Sequence, residues 1–281
     1  CEVFFAGRKK RKPMVSDSCK KRFGKIMMEE MELVAQEEIA PLIYSMILKG
    51  EMVAQMLPGQ FLHIRVPDGA KLLRRPISIS EIDPETQTCR LIYRIEGGGT
   101  AIFSQLPIGS KLSVMGPQGN GFDLTDLGQG QKALIIGGGI GVPPLVQVAK
   151  QLHEQGVEVE VVVGFATKEA VILEEELSQV AHVTVTTDDG SYGTKGYVST
   201  IVDSMDQEFD AIYSCGAPGM LKYVNTKFHD HPRAYISMES RMACGMGACY
   251  ACVVHLENES QAANKRVCED GPVFETGTIV M

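Results

Sequence analysis

The stretch Lys132-Ala-Leu-Ile-Ile-Gly-Gly-Gly-Ile-Gly-Val-Pro-Pro144 decides the fold class of the central part of the chain. Residues 132–136 predict a buried strand, and the glycines that follow predict a tight turn. Two prolines are tolerated in the first turn of a helix, because the N–H groups there have no partner inside the helix. The stretch therefore predicts a strand–turn–helix unit whose glycines Gly138, Gly139 and Gly141 offer free N–H groups to a pyrophosphate or a nicotinamide ribose. A βα connection without a ligand is the alternative.

The residues that follow repeat this alternation of strand and helix. Strands and helices of such lengths are typical of a doubly wound parallel sheet, so this part is predicted to be α/β. The predicted strands are 132–136, 157–163, 183–187 and 210–215, and the predicted helices are 144–155, 168–181 and 218–226.

Two further features of this region predict a dinucleotide site. Asp188-Asp189 follows the third strand, where carboxylates would accept from ribose hydroxyls and repel a 2′-phosphate, which favours NAD over NADP. Cys215-Gly216 ends a later strand, where a turn of small residues lets a nicotinamide approach. The alternative for Cys215 is a small buried residue that only packs.

Residues 28–125 have a different pattern, in which short apolar runs alternate with turn signals such as Pro58-Gly59 and Asp83-Pro84. Several short strands at this spacing predict an antiparallel barrel or sandwich. One short helix is predicted near 101–106, and the boundary between the two parts is predicted near 125–131. The predicted strands are 42–48, 61–66, 77–82, 89–95 and 111–115.

Three motifs in this first part suit a flavin nucleotide. Arg75-Pro76-Ile77-Ser78 combines an arginine, the side chain best shaped to grip a phosphate, with a serine hydroxyl that can reach a flavin edge. Tyr93-Arg94 offers an aromatic ring and a cation. Gly99-Thr100 lies at the start of the predicted helix, where free N–H groups suit a pyrophosphate.

Four of the eight cysteines lie within one window of 25 residues, with the spacing C-x4-C-x2-C-x15-C. Thiolates are soft ligands that suit iron–sulfur clusters, zinc or Cu(I). A gap of four followed by a gap of two is the plant-ferredoxin-like arrangement for a 2Fe–2S cluster, and the loop 245–248 contains glycines that allow close approach of the backbone. The alternatives are a structural zinc site, which usually shows two closely paired cysteine units, and coincidence. The four residues are Cys244, Cys249, Cys252 and Cys268.

The net charge of −8 is unevenly distributed along the chain. Residues 1–26 contain nine Lys and Arg residues against two acids, and the remainder carries a net charge of −15. The basic segment is interpreted either as an arm for nucleic acid or an anionic membrane, or as translated leader or cloning-derived sequence. The acidic remainder argues against nucleic acid as a partner. No apolar run reaches the roughly 18–20 residues of a membrane span, and no secretory segment precedes the domains, so a cytoplasmic protein is predicted.

In combination, these motifs resemble the ferredoxin–NADP reductase superfamily. The resemblance rests on the Arg-Pro-Ile-Ser strand, the Gly-Gly-Gly-Thr helix start, Gly116-Pro117-x-Gly119, the glycine turn and Cys-Gly-Ala-Pro-Gly at 215–219. With the C-terminal cysteine spacing added, residues 28–281 are similar to the electron-transfer subunits of NAD-dependent (class 1B) dihydroorotate dehydrogenases.

The resemblance implies an antiparallel FAD-binding barrel (27–127), a doubly wound NAD-binding domain (128–235) and a 2Fe–2S loop region (236–281). The basic extension (1–26) has no counterpart in the family, which favours the leader or cloning-derived interpretation. The resemblance implies that the four clustered cysteines hold the 2Fe–2S cluster. It also implies that the residues already named for a dinucleotide bind NAD. The residues implied for FAD are Arg75, Pro76, Ile77, Ser78, Ile92, Tyr93, Arg94, Gly99 and Thr100.

The resemblance also implies an activity. Electrons would pass from the FMN of a catalytic subunit that oxidises dihydroorotate to orotate, through the 2Fe–2S centre and FAD, to NAD⁺ in pyrimidine biosynthesis. A heterotetramer of two copies of each subunit is implied, and no catalytic side chain of this subunit is required. The alternatives are a small subunit of a ferredoxin–NADP oxidoreductase or sulfide dehydrogenase complex, and a zinc-stabilised interaction module without catalysis.

Overall fold

The computed structural model describes residues 27–257 and 263–281, so the basic segment 1–26 and the two interpretations given for it lie outside the described residues. Two sheets organise the described chain. One is a closed six-stranded barrel, and the other is a seven-stranded sheet that is mostly parallel. The predicted fold class is confirmed.

The barrel is antiparallel, with its strands in the order β1-β2-β5-β4-β3-β6, and a short helix α1 (Gly98–Phe103) follows β5. Along its strands, side chains alternate between the barrel interior and the outer face, as the two-residue period of a strand requires. Ile77 and Ile79 therefore point inward, whereas Pro76 and Ser78 lie on the outer face. The strands are β1 (Met27–Ala40), β2 (Ile43–Lys49), β3 (Phe61–Ile64), β4 (Arg75–Asp83), β5 (Thr88–Arg94) and β6 (Lys111–Gln118).

The second sheet has the order β10-β9-β8-β7-β11-β12-β15, and every neighbouring pair is parallel except β12 with β15. The central strand β7 is buried from Ala133 to Ile136, as expected for a strand covered on both faces. Its strands are β7 (Lys132–Gly138), β8 (Glu158–Phe165), β9 (His182–Thr187), β10 (Thr194–Lys195), β11 (Ala211–Cys215), β12 (Ala234–Ser237) and β15 (Val273–Glu275). Its helices are α2 (Pro143–Glu154), α3 (Glu174–Ser178), α4 (Val198–Val202) and α5 (Pro218–Lys227).

Two predicted elements differ from the structure. The helix predicted over 168–181 is a single 3-10 turn at Lys168–Ala170 and the short α3, because Leu173 adopts a left-handed conformation (φ 65°) that a continuous helix does not allow. The long strand β1 lies mostly before the first predicted strand. Its many glutamates obscure the alternating pattern of a strand, since Met31 and Leu33 are the only residues of β1 that are fully buried.

The C-terminal cysteine region does not stand apart from the NAD-type sheet. The predicted boundary at 235/236 lies inside β12, and the chain returns to pair β15 with β12, with Ile236 opposite Phe274. Between these strands lie the cysteine loop and a small hairpin of β13 (Val253–His255) and β14 (Asn264–Arg266). The cysteine region is therefore anchored to the sheet at both ends.

An ion cluster joins the barrel to the second sheet. Arg90 on β5 donates to Glu81 on β4 at 3.0 Å and to Glu176 on α3 at 2.8 Å, and Lys150 on α2 also pairs with Glu81. Burial raises the pKa of Glu81, but the hydrogen bonds from Lys150 and Arg90 outweigh burial and hold the pKa below its ordinary value. Because the four side chains come from both domains, the cluster fixes one arrangement of the barrel against the sheet.

None of the helices in the described part of the chain combines the length and the apolar character that crossing a membrane requires.

We expect Ile79→Ala to destabilise the protein by about 2–5 kcal/mol, because it leaves a cavity in a fully buried part of the barrel core. The matched control is Ile108→Ala at a side chain that is 58% exposed, where a change within about 0.5 kcal/mol is expected. Urea unfolding followed by circular dichroism measures both free energies. Equal losses at the two positions would contradict the assignment of Ile79 to the core.

Candidate functional site

The arginine and the glycine predicted to bind phosphate lie side by side. The guanidinium of Arg75 packs on Gly99, where a Cβ would lie 2.6 Å from Nε. Arg75 donates from Nη1 to the carbonyl of Leu73 at 2.7 Å, which is a neutral partner, and no carboxylate among the described residues forms an ion pair with it. Only a glycine at 99 allows this contact. Arg75 and Gly99 together form a positively charged surface on the barrel, which we call the cationic cradle.

The outer barrel face brings other predicted FAD residues together. Pro76 and Ser78 on β4 lie on the outer face of the barrel. Ile92 on the neighbouring β5 also points away from the barrel interior, but it is buried in the apolar core between the barrel and the second sheet. Arg94, farther along β5, is exposed and donates from Nε to Glu96 at 3.0 Å. Ile77 points into the barrel and only its backbone reaches this face.

Tyr93 does not offer its ring to a ligand. The ring is 3% exposed inside the barrel, stacked on Tyr44 with 6.0 Å between centroids, and the hydroxyl donates to Gln36 at 3.2 Å. The ring faces the barrel interior because Tyr93 occupies an inward-facing position of its strand, so only its backbone could take part in the FAD binding predicted for it.

The hydroxyl of Thr100 forms its hydrogen bonds within its own turn. Its hydroxyl oxygen accepts from the N–H of Glu96 at 3.1 Å, and α1 has only six residues. A helix this short contributes little dipole to an anion, so the cradle rests on Arg75 and Gly99 rather than on the helix predicted to begin here.

The glycine turn and the Cys215-Gly216 turn lie next to each other at the carboxyl edge of the sheet. Gly137 is paired with Cys215 across β7 and β11, and a Cβ on Gly141 would lie 2.6 Å from the backbone of Cys215. Gly138 and Gly216 also face each other. Gly139 has φ 52° and borders open space, so its backbone is accessible to a ligand. The structure thus brings together five of the six residues predicted for NAD.

The sixth residue, Asp188, follows β9, two strands away from the glycine turn. It is held through its backbone N–H, which donates to Phe165 at 3.0 Å. Asp189 differs, because its carboxylate accepts from the N–H and hydroxyl of Ser191 at 2.9 and 2.6 Å and closes a local turn. Of the two predicted carboxylates, Asp188 is the one whose side chain is not used by that turn.

The four clustered cysteines lie in one loop region whose backbone donates hydrogen bonds to their sulfurs. The N–H of Met246 donates to Sγ of Cys244 at 3.4 Å, and the N–H of Gly247 donates to Sγ of Cys268 at 3.2 Å. Burial raises the pKa of Cys244, but hydrogen bonds from the Met246 N–H and from Cys249 outweigh it and lower the pKa to about 7. The loop therefore already supplies donors that stabilise a thiolate.

The donor set fits an iron–sulfur cluster. A two-iron cluster needs two thiolates at each of two irons, and the four cysteines supply that number. The N–H groups that donate to the sulfurs of Cys244 and Cys268 are donors of the kind that stabilise the thiolates around such a cluster.

Two buried polar residues beside the cysteine loop were not predicted from the sequence as part of a site. His63 and Gln118 are fully buried, lie against Gly245, and have no hydrogen-bonded partner for their side-chain atoms among the residues described. Burial and the charge of Arg74 lower the pKa of His63 to about 4, so its ring is neutral at neutral pH. In the sequence, the only signal is one histidine within the apolar strand Phe61–Ile64.

Three family models match successive parts of the chain. Residues 30–122 match an oxidoreductase FAD-binding domain, residues 135–226 match an oxidoreductase NAD-binding domain, and residues 239–280 match the iron–sulfur cluster binding domain of dihydroorotate dehydrogenase B. The order of the three matches agrees with the order of the barrel, the parallel sheet and the cysteine region.

Curated relatives match along nearly their whole length. The chain is 68% identical over 256 residues to the dihydroorotate dehydrogenase B (NAD(+)) electron transfer subunit of Streptococcus mutans, covering 91% of this chain and 99% of the relative. It is 47% identical to that of Enterococcus faecalis, covering 90% and 98%. Among solved structures, a chain of NADH-dependent reduced ferredoxin-NADP oxidoreductase superposes with a TM-score of 0.78 at 28% identity, covering 90% of each chain.

We expect Gly99→Ala to lower FAD retention about tenfold, because its Cβ would displace the Arg75 guanidinium from the cradle and weaken a charge-assisted phosphate contact. Gly97→Ala is the matched control, since a Cβ there meets nothing within 4 Å and its φ of −176° suits any residue. The FAD dissociation constant is measured by fluorescence on the refilled protein. Equal affinities for the two variants would remove Gly99 from the site.

Proposed function

This chain belongs to the family of dihydroorotate dehydrogenase B (NAD(+)) electron transfer subunits, and from that premise we propose that it transfers electrons from the FMN of a catalytic subunit to NAD⁺ through a 2Fe–2S cluster and FAD. The electrons come from the oxidation of dihydroorotate to orotate in pyrimidine biosynthesis. The single observation that carries the proposal is the loop region of Cys244, Cys249, Cys252 and Cys268, which is anchored to the parallel sheet, packs on Phe61 of the barrel and donates backbone hydrogen bonds to its sulfurs.

The chemistry is that of the cofactors, since a flavin exchanges two electrons with a nicotinamide and one electron at a time with an iron–sulfur cluster. The chain itself binds and orients them. Arg75 and Gly99 would hold the FAD phosphates, and Ser78 would flank the flavin on the outer barrel face, where Ile92 could contribute only its backbone. Gly139 supports the proposed NAD site, because its backbone borders open space beside the Cys215-Gly216 turn.

We further propose a cytoplasmic heterotetramer with two copies of each subunit. The printed names of the relatives support a catalytic partner, since an electron transfer subunit serves another chain. The cysteine loop supports the place of contact, because Met246 and Tyr250 expose 51% and 59% of their surface there. Exposed apolar side chains that cluster on a loop favour a protein interface.

A second candidate is supported by the superposition on the NADH-dependent reduced ferredoxin-NADP oxidoreductase chain. Copurification discriminates between the two candidates. The first requires a stable FMN-containing partner and dihydroorotate-dependent reduction of NAD⁺. The second requires a larger flavoprotein with several clusters and ferredoxin-dependent activity, and that outcome would overturn the first.

We expect the purified chain to contain about two irons and two acid-labile sulfides, and Cys268→Ala to lose both with the EPR signal of the reduced cluster. Cys89→Ala is the matched control, because Cys89 is a buried barrel cysteine far from the loop in sequence, whose loss leaves the iron content unchanged. Iron, zinc and sulfide analysis of both variants measures this. One zinc per chain without sulfide would establish the zinc alternative instead.

We expect Asp188→Asn to reduce the preference for NADH over NADPH about tenfold, or ~1.4 kcal/mol, because it removes a negative charge that repels a 2′-phosphate. The measurement is the ratio of kcat/KM for the two cofactors with ferricyanide as electron acceptor. Asp206→Asn, at an exposed residue after α4, serves as the control with an unchanged ratio. An unchanged ratio in Asp188→Asn as well would place the 2′-hydroxyl elsewhere.

A further inference from the structure

Arg266 links the three stretches of chain that separate the four cysteines, since it lies in one of them and contacts the other two. It donates from Nη1 to the carbonyl of Gly247, between the first and second cysteines, at 2.9 Å. Its Cζ lies 5.3 Å from the ring centroid of Tyr250, between the second and third. Arg266 itself lies at the end of β14, two residues before Cys268, in the stretch between the third and fourth.

Gly247 is held from two sides by these contacts. Its N–H donates to Sγ of Cys268 at 3.2 Å, while its carbonyl accepts from Arg266. Gly247 has φ 76°, a conformation that favours glycine, and a Cβ there would collide with the carboxylate of Glu269. The bond from Arg266 therefore fixes the orientation of a residue whose N–H reaches the sulfur of the fourth cysteine.

Tyr250 also depends on Arg266 for its position. It has φ 57°, which is strained for a residue with a bulky side chain, and 59% of its surface is exposed. The guanidinium over its ring is an attractive contact that offsets this strain. Because Tyr250 directly follows Cys249, the stacking restrains the second cysteine of the loop.

The effect of Arg266 on the loop is geometric rather than a matter of net charge. Its Nη1 pairs with Glu269 at 2.7 Å, and its Nε pairs with Asp270 at 3.1 Å. Two carboxylates thus face one guanidinium and neutralise it. Only the planar fork of an arginine serves the Gly247 carbonyl, both carboxylates and the Tyr250 ring at once, and a lysine does not.

We propose that Arg266 is a positioning residue that holds the four cysteines in the arrangement needed to accept a two-iron cluster. This inference rests on the proposed function, since it concerns the same cluster. The guanidinium links the loop that carries the first three cysteines to the segment that carries the fourth. Without it, the donor from Gly247 to the Cys268 sulfur is no longer aligned.

The test compares Arg266→Lys, which keeps the charge and loses the fork, with Arg233→Lys in the full chain. Arg233 is a matched control because it also donates from its guanidinium to a backbone carbonyl, that of Thr125, but lies outside the cysteine region. The readouts are iron released to a chelator over time and the midpoint potential of the cluster from an EPR-monitored redox titration.

We expect Arg266→Lys to lose iron about tenfold faster than the unchanged protein, the effect of one charge-assisted hydrogen bond. We expect its cluster potential to fall as well, because hydrogen bonds to the sulfurs raise the potential. Arg233→Lys is expected to match the unchanged protein in both measurements.

Arg266→Lys behaving like the unchanged protein would overturn the inference and leave the charge alone as the contribution of Arg266. If Arg266→Lys holds no cluster at all, the same restraint is tested with Tyr250→Leu, which removes only the stacked ring. Iron loss from Tyr250→Leu at the rate of the unchanged protein would also overturn the inference. An unchanged protein without iron and sulfide would instead be a failure of the proposed function.

Discussion

The arrangement of the whole site depends on a backbone junction between the barrel and the cysteine region. The N–H of Asn120 donates to Gly271 at 2.6 Å, and its side-chain amide donates to the carbonyl of Asp270 at 2.9 Å. Gly119 packs so tightly against Pro272 that a Cβ would lie 2.5 Å from the proline ring. Because β6 ends immediately before this junction and β15 begins immediately after it, one contact sets the barrel, the cysteine loop and the sheet against one another.

The remaining contacts between the units support the same arrangement from other sides. The cluster around Glu81 and Arg90 joins the barrel to α2 and α3, far from the cysteines in sequence. Phe61 on the barrel packs in one apolar group with Cys252 and Cys268. A protein whose work is to hold several redox groups at fixed separations needs this kind of preorganisation, since its side chains need not react themselves.

Much of this architecture follows from local sequence signals. The run of apolar residues before the glycine turn predicted β7 and α2, and turn residues at short intervals predicted the barrel, because both signals are local in the chain. The strand β1 and the break at Leu173 were not predicted. In β1, glutamates on the exposed face hide the two core residues, and at Leu173 burial in the tertiary structure overrides a helical pattern.

The candidate site was predictable in its residue types but not in its contacts. Cysteine spacing indicated a cluster, whereas the approach of the Cys268 segment to Cys252 depends on a hairpin, beside which the N–H of Val267 donates to the carbonyl of Cys252 at 2.9 Å. Likewise, the contact of Arg75 with Gly99 joins two motifs that are 24 positions apart. The inward-facing ring of Tyr93 shows the opposite case, in which a suitable residue type lies on the wrong side of its strand.

The return of the chain to the sheet has a consequence for the order of events during synthesis. The strand β15, Val273–Glu275, leaves the ribosome after every other strand of its sheet, and until it pairs, β12 is an open edge with unpaired N–H and C=O groups. The domains before it can fold as the chain grows. Closure of the sheet and closure of the cysteine loop therefore coincide, and both wait until β15 has been synthesised.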